Sequence, residues 1–384
     1  MIFGGKNYIG LDIGNTSVKV AQLKKTSRGV ILEKLALEPL FPNGQPEDIS
    51  EIDVSVKTSA IKRCLDKANI TAKNCISAVS GESIIVRYIP LPEMSEVELK
   101  NALRWEAEEY IPFRMDEVNI DSMILGKNLQ EDGKIDVLLV SATKELINKH
   151  INILREVGLI PVIVDIASFA LLNCYEYNYN PPPEDATALI SIGSDVTSIT
   201  IFNNTVSRFT RDIEATSAGD SITKSLQMKL GLSFKEAEKL KIDIGAPLKT
   251  VDQTTQVSSD ILDTIKSTIE KITGEDLGDD SIEAKASKVI QGSLDNLLGE
   301  IRRSIQFFEN QPNSFPIKKI VLSGGIAQMR NIGKYFAEEL KLPIEIINPI
   351  RNIELSPRLD RSYIESIAPQ LSVCIGLAIR KVVD

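Results

Sequence analysis

The stretch Tyr8-Ile-Gly-Leu-Asp-Ile-Gly-Asn-Thr-Ser-Val-Lys-Val-Ala-Gln-Leu23 decides the fold. Tyr8, Ile9, Leu11 and Ile13 are apolar or β-favouring around one carboxylate, Asp12, and predict a strand. Gly14, Asn15, Thr16 and Ser17 are residues of a tight turn. A second strand follows from Val18 to Leu23, with Lys19 just past the turn. Such a hairpin can aim backbone N–H groups and two hydroxyls at a phosphate. Asp12 would face a metal ion through water, and Lys19 would add positive charge. The same residues also suit an ordinary hairpin with a polar tip, so the stretch alone leaves both readings open.

An echo changes the balance. Ala188-Leu-Ile-Ser-Ile-Gly-Ser-Asp-Val-Thr-Ser-Ile-Thr-Ile-Phe202 repeats the form: apolar strand, Ile-Gly, short polar turn, alternating strand. Duplication at this distance predicts two copies of one unit facing each other across a cleft. A third glycine turn, Ile320-Val-Leu-Ser-Gly-Gly-Ile-Ala-Gln-Met329, follows a buried-type strand and precedes a helical run ending near Leu340. Residues 166–174 and 369–381 are small-residue-rich apolar helices. In this order the elements resemble the actin/Hsp70/sugar-kinase superfamily, with its two phosphate loops, adenosine loop and two linking helices. The resemblance implies an α/β, actin-like ATPase fold: two RNase H-like lobes around a nucleotide cleft.

The 384 residues suffice for two lobes and a large core. A net charge of −9, from 44 basic and 53 acidic residues, argues against nucleic acid or anionic lipid as the main partner. Four cysteines without CxxC spacing read as reduced, buried thiols of a cytoplasmic protein, and the single histidine has no metal-site company. No apolar run approaches the roughly 18–20 residues of a membrane span. Met1-Ile-Phe-Gly-Gly-Lys6 lacks the apolar core of a secretory signal. The expectation is a cytoplasmic chain with no nucleic acid partner and no direct membrane insertion.

The expected first lobe is 1–81, returning at 159–187 and from about 365 to 384. Residues 82–158 read as an inserted α/β subdomain. Residues 188–214 and 295–364 form the second-lobe core, and 215–294 a helical subdomain with a long acidic excursion. The insertion is expected to run strand, helix, strand, strand, helix. A strand over 83–89 closes at Pro90-Leu-Pro92, and Ser95-Glu-Val-Glu98 fits a capping box. Leu99, Ala102, Leu103, Ala107 and Tyr110 then share one helical face. Strands over 118–125 and 135–141 precede a helix from Thr143, where His150 lies on the apolar stripe and is expected at the core edge. Trp105 falls well off its helix's stripe: it either covers the seam to the neighbouring lobe or meets a partner. Further on, helices are expected over 215–230, from the capping box Ser233-Phe-Lys-Glu236, and over 284–310. Ile261, Ile265, Ile269 and Ile272 suggest an amphipathic helix inside the excursion.

An insertion after residue 81 is where the FtsA and PilM families carry their extra subdomain. Val86-Arg-Tyr-Ile-Pro-Leu-Pro-Glu-Met-Ser-Glu-Val-Glu-Leu99, Glu106-Ala-Glu-Glu-Tyr-Ile-Pro-Phe113, Phe209-Thr-Arg-Asp-Ile213 and Glu300-Ile-Arg-Arg-Ser304 are similar to the PilM family in particular. The likeness covers nearly the whole chain apart from 242–283. With no amphipathic membrane helix after Leu377, it favours PilM over FtsA. It implies a cytoplasmic ATP-binding scaffold of the type IV pilus inner-membrane assembly complex. Such a scaffold docks the N-terminal peptide of a PilN-like membrane protein between the insertion and the first lobe, alongside other pilus inner-membrane components. Arg87, Trp105, Tyr110 and Phe113 are the expected groove residues.

Carried over residue by residue, Asp12 orders Mg²⁺ waters, and Gly14, Asn15, Thr16, Ser17 and Lys19 hold one side of the ATP phosphates. Gly193, Ser194, Asp195 and Thr197 face the other side. Glu238 and Lys241 reach ribose or adenine, Gly324, Gly325 and Met329 flank the base, and Asp165 stands near the attacking water. One departure matters. The second phosphate loop of the family opens on an Asp, and here the residue is Ser191, whose neutral hydroxyl cannot supply that charge. Nucleotide binding with slow or absent hydrolysis is the expectation, with Asp195 the substitute available in the turn. An FtsA-like polymerising tether and a small-molecule kinase of the same fold remain the alternatives.

Overall fold

The computed structural model describes residues 7–42, 52–128, 130–182, 185–214, 218–248, 279–311 and 314–382. The stretch with Ile261, Ile265, Ile269 and Ile272 lies outside them.

The chain opens with β1 (Tyr8–Ile13), β2 (Ser17–Thr26) and β3 (Gly29–Pro39), joined as antiparallel neighbours. Helix α1 (Val54–Lys67) follows, its first turn capped by Asp53, whose carboxylate accepts from Ser55 N at 2.7 Å. β4 (Asn74–Val79) then pairs parallel to β1.

Next comes the inserted module: β5 (Ile84–Pro92), α2 (Glu96–Glu108), β6 (Val118–Lys127), β7 (Lys134–Thr143) and α3 (Lys144–Glu156). Its sheet has the order β5-β7-β6. The strand runs on through Pro90 and Pro92 rather than closing before them, because β5 is an edge strand where a missing N–H costs no ladder bond. The capping box at Ser95 forms in full, and Leu99, Leu103 and Ala107 turn inward onto Ile89, Leu91, Val137 and Leu139.

The chain re-enters the first sheet through β8 (Ile160–Ile166), parallel to β4, and leaves by α4 (Ala167–Tyr179). The second sheet begins with β9 (Ala186–Ile192), β10 (Val196–Asn203) and β11 (Val206–Glu214), all antiparallel neighbours. Three helices follow. α5 (Gly219–Leu230) starts at Gly219 rather than 215; α6 (Phe234–Ile244) carries the full capping box at Ser233; α7 (Asp279–Glu309) starts ahead of 284. β12 (Ile317–Ser323) pairs parallel to β9, and α8 (Ile332–Leu340) leads to β13 (Ile344–Ile346).

The last segment corrects the expected domain map. β14 (Ile353–Leu355) pairs parallel to β3, so the chain is back in the first sheet by 353 rather than 365. Three residues are too few for an alternation to show in sequence. α9 (Arg361–Ile367), a 3₁₀ turn and α10 (Ser372–Ile379) finish the fold.

The two large sheets have orders β14-β3-β2-β1-β4-β8 and β11-β10-β9-β12-β13. Reading outward from the hairpin, β3-β2-β1-β4-β8 and β11-β10-β9-β12-β13 are the same arrangement, the duplication that the echoing glycine turns predict. Between them lie α4 and α10. α4 sends Leu171, Leu172 and Tyr175 onto Leu189, Phe202 and Val321 of the second sheet. α10 lies against β1 so closely that a Cβ on Gly10 would fall 2.2 Å from Cys374 O. The helical run Arg361–Ile379 is long and apolar enough to cross a membrane, contrary to the expectation that no run approaches that length. Of its apolar window 61% is buried in the fold, so its composition follows from core packing. All four cysteines are free and buried.

His150 of α3 sits at the core edge as expected. Ser77 Oγ donates to Leu11 O at 2.7 Å, so it accepts from His150 Nε2 at 2.9 Å, which fixes the tautomer. Burial holds the imidazole down to about 4 from its ordinary 6.5. The neutral ring is therefore the folded form. Its contribution is complete above pH 6.5 and is lost as pH falls through 4, by up to about 3 kcal/mol. Urea melts of wild type and His150→Asn between pH 7.5 and 4 are expected to show a shallower decline in the variant.

Candidate nucleotide cleft

The two glycine turns have one geometry. Gly14 N donates to Ser17 O at 3.1 Å, and Gly193 N donates to Val196 O at 2.9 Å. A Cβ at either glycine would crowd that same carbonyl, at 3.1 and 3.0 Å respectively. The strands flanking each turn also match. Asp12 stands opposite Lys19 across β1 and β2, and Ser191 stands opposite Ser198 across β9 and β10. In the first copy the opposed pair is ionic, with Lys19 Nζ 3.4 Å from Asp12 Oδ2. In the second it is two hydroxyls.

The turns meet across the cleft, where Asn15 Nδ2 donates to Asp195 Oδ2. The third turn closes the same space. Gly324 has φ +88, and a Cβ there would lie 2.4 Å from Ile192 O, directly before the second turn. Its N–H donates to Pro369 O at 3.0 Å, tying the turn to the approach of α10.

Two connected chambers result. The narrower, about 180 Å³, is lined by Asp12, Gly14, Asn15, Lys19, Asp195 and Gly324 among others. The wider, about 360 Å³, has Glu238, Lys241 and Met329 in its wall, with the apolar sides of Phe234 and Ile242. Thr16, Gly193, Ser194 and Gly325 border both. Of the residues expected at a nucleotide, Ser17 and Thr197 alone lie off the chamber walls; both are buried behind their turns.

In the wider chamber Lys241 is 5% exposed. Its Nζ donates to Glu238 Oε2 at 2.6 Å and Thr223 Oγ1 at 3.0 Å, and Thr223 Oγ1 donates to Glu238 Oε2 at 2.6 Å. The (i, i+3) spacing on α6 is what brings Glu238 and Lys241 together. Asp220, which motif reading passed over, lines the same wall; burial, with Asp195 nearby, pushes its carboxyl up to about 6.

Asp165 is not brought to the cleft. Its Oδ1 accepts from Ile166 N at 2.8 Å, its Oδ2 takes the Arg380 guanidinium, and it lines neither chamber. A carboxylate committed to an arginine is a poor proton acceptor, so the expectation that Asp165 stands near the attacking water loses its geometric support. Asp212, on β11 opposite Ser198, is similarly engaged by Gly81 N at 2.8 Å and Ser198 Oγ at 2.7 Å. Among the described residues no cluster of three or more His, Cys, Asp or Glu could hold a metal directly. What the narrower chamber does offer a hydrated Mg²⁺ is the carboxylates of Asp12 and Asp195.

The inserted module touches the second lobe through Tyr88, whose hydroxyl is 2.6 Å from Ser207 Oγ and 3.2 Å from Thr210 Oγ1. Arg208 adds an ion pair to Asp136 at 3.9 Å. The four expected groove residues do not share one surface role. Tyr110 and Phe113 are half-buried against the module's own core, and Arg87 is exposed on β5. Trp105 is 79% exposed and covers no seam, which removes the first of its two readings. Val97, two helical turns away on the same face of α2, is 70% exposed.

Comparison with known proteins agrees with this architecture. A family model described as type IV pilus assembly protein PilM matches residues 10–257 and 255–382. The solved PilM-PilN type IV pilus biogenesis complex is similar at 25% identity and a TM-score of 0.77, covering 98% of each chain. MreB 5 of Spiroplasma citri bound to AMPPNP aligns at TM-score 0.52 and 15% identity, over 98% of this chain and 96% of that one, which speaks for a shared actin-like fold. The cell division protein FtsA of Bacillus subtilis (strain 168) is 25% identical over 274 residues, 62% of this chain and 58% of FtsA's own length. The fold is thus the actin-like ATPase fold, with the inserted α/β subdomain in FtsA/PilM fashion.

Proposed function

The chain belongs to the type IV pilus assembly protein PilM family, and from that premise we propose that it is an ATP-binding scaffold with slow or absent hydrolysis. ATP enters with Mg²⁺ between the two glycine turns. Its phosphates take the N–H groups of Asn15 and Thr16 in the first turn and of Ser194 and Asp195 in the second, and its base takes the wider chamber. Asp12 and Asp195 hold the hydrated ion, which neutralises phosphate charge. The observation that carries the reading is the shared chamber lined by Asp12, Gly193 and Gly324, residues far apart in sequence.

Weak turnover follows from the carboxylates. Ser191 stands where a charged residue would polarise water, Asp165 is held by Arg380, and Asp212 accepts two hydrogen bonds. Nucleotide instead biases the lobes toward closure, and the inserted module follows because Tyr88 and Asp136 tie it to β11. The module presents its surface to the N-terminal cytoplasmic peptide of a PilN-like inner-membrane protein, holding the scaffold in the cytoplasm at the membrane face alongside other pilus components.

Titrating a PilN-like N-terminal peptide, with and without Mg-ATP, tests the coupling. The fluorescence of Trp105, the only tryptophan, is the signal. Tighter binding with ATP is expected; equal affinity in the two conditions, or no binding in either, contradicts it.

A further inference from the structure

We propose that Asp212 is the positioning residue that couples the nucleotide chamber to the inserted module. The inference rests on the nucleotide-dependent peptide binding proposed above and assigns the contact that transmits it.

Asp212 lies on β11 and lines neither chamber, yet it stands one hydrogen bond behind the wall of the narrower one. Its two oxygens serve two different bodies. Oδ1 accepts from Ser198 Oγ at 2.7 Å. Ser198 is its cross-strand neighbour on β10, the strand that leaves the second glycine turn, and lines the narrower chamber. Oδ2 accepts from Gly81 N at 2.8 Å. Gly81 is the root of the inserted module. Ser80 before it lies in the same chamber wall, and its own carbonyl accepts from Ile84 N at 3.1 Å, where β5 begins. Its φ of +109 is one that L-residues avoid, so glycine is what lets the chain turn into the module here.

Aspartate is depleted inside strands, so its place on β11 calls for a reason. The bond to Ser198 alone would be a local matter within the second sheet. The bond to Gly81 is not local. The module leaves the first sheet after β4 and returns to it at β8, so its covalent ties are to the first lobe. Asp212 joins its root to the opposite lobe. When nucleotide draws the glycine turns together, β10 carries Ser198 and Asp212, and Asp212 carries Gly81. A hydrogen bond to a charged acceptor is strong enough to sustain a change in affinity of about fivefold to a hundredfold. Tyr88, further along β5, holds Ser207 and Thr210 of the same β11. The module's first strand is thus gripped at two points and turns with β11 instead of sliding past it.

The test is a two-ligand titration of wild type, Asp212→Ala, Asp212→Asn and Ser198→Ala. Mg-ATP affinity is measured with and without a PilN-like N-terminal peptide, and peptide affinity with and without Mg-ATP. Linkage makes the two ratios equal, and a variant that stays folded but is less stable leaves the ratio unchanged. Wild type is expected to show a ratio of at least about fivefold. Asp212→Ala is expected to bind each ligand alone and to bring the ratio to about one, the value for uncoupled sites. Ser198→Ala, which breaks only the chamber-side bond, is expected to lower it. Asp212→Asn is expected to restore much of it, because the amide oxygen still accepts from Gly81 N and the amide nitrogen can donate to Ser198 Oγ. A wild-type ratio in folded Asp212→Ala, or in Ser198→Ala should Asp212→Ala not fold, overturns the role of Asp212 alone. A folded Asp212→Ala that fails to bind ATP or peptide alone also overturns it, because the residue would then belong to a binding site. Wild type without coupling overturns the coupled reading and this inference together.

Discussion

Gly376→Ala is expected to leave the chain largely unfolded or insoluble. A Cβ at this position of α10 would fall 1.8 Å from Ala170 O and 2.7 Å from its carbonyl carbon, both backbone atoms of α4. Backbone cannot rotate out of the way as a side-chain tip can. The two helices would have to separate, and each is fixed to its own sheet: α4 by Leu171 and Tyr175, α10 by its contact with Gly10 of β1. Overpacking costs of about 1–3 kcal/mol, and more where the colliding atoms are rigid, fall here on the crossing that joins the lobes. Gly292→Ala on α7 is the control. Nothing lies within 4 Å of its added Cβ, so the helix gains stability by up to about 1 kcal/mol. Yield in the soluble fraction and thermal melting check both.

Gly324→Ala is expected to abolish nucleotide binding, with a large loss of stability besides. Two costs add. The backbone at φ +88 is one that L-residues avoid, by about 1–2 kcal/mol. The added Cβ would also meet Ile192 O at 2.4 Å and Ile192 N at 2.9 Å. Relief requires Ile192 to move, and Gly193 moves with it, so the second glycine turn loses its aim at the narrower chamber. A variant that stays folded by circular dichroism should take up no Mg-ATP. Unaltered uptake by a folded variant would separate the third turn from the site.

Where the sequence was legible, a local rule and the tertiary fold agreed. Both Ser-x-x-Glu capping boxes formed, because the reciprocal bonds lie within one helical turn and need no partner from elsewhere. The paired glycine turns were visible since a tight turn constrains residue type strongly, and their repetition exposed the duplicated sheet. Three features were hidden for the opposite reason. β14 is held by β3, more than three hundred residues earlier, and has almost no local signature. Asp165 looked free because its partner, Arg380, arrives from the far end of the chain. Asp220 was passed over altogether, because only the packing of α5 on the second turn makes it part of a chamber wall. The loss of charge at Ser191 was readable, but the opposition of Ser191 to Ser198, mirroring Asp12 and Lys19, needed the register.

The central claim is that the two glycine turns clamp one nucleotide between the lobes. Calorimetric titration of Mg-ATP into wild type and Lys19→Ala tests it most directly, because Lys19 is the cation beside Asp12 in the narrower chamber. The account predicts one ATP per chain in wild type and at least a tenfold weaker affinity, about 1.4 kcal/mol, in Lys19→Ala. An absence of binding heat in wild type, or an affinity unchanged by Lys19→Ala, would contradict it.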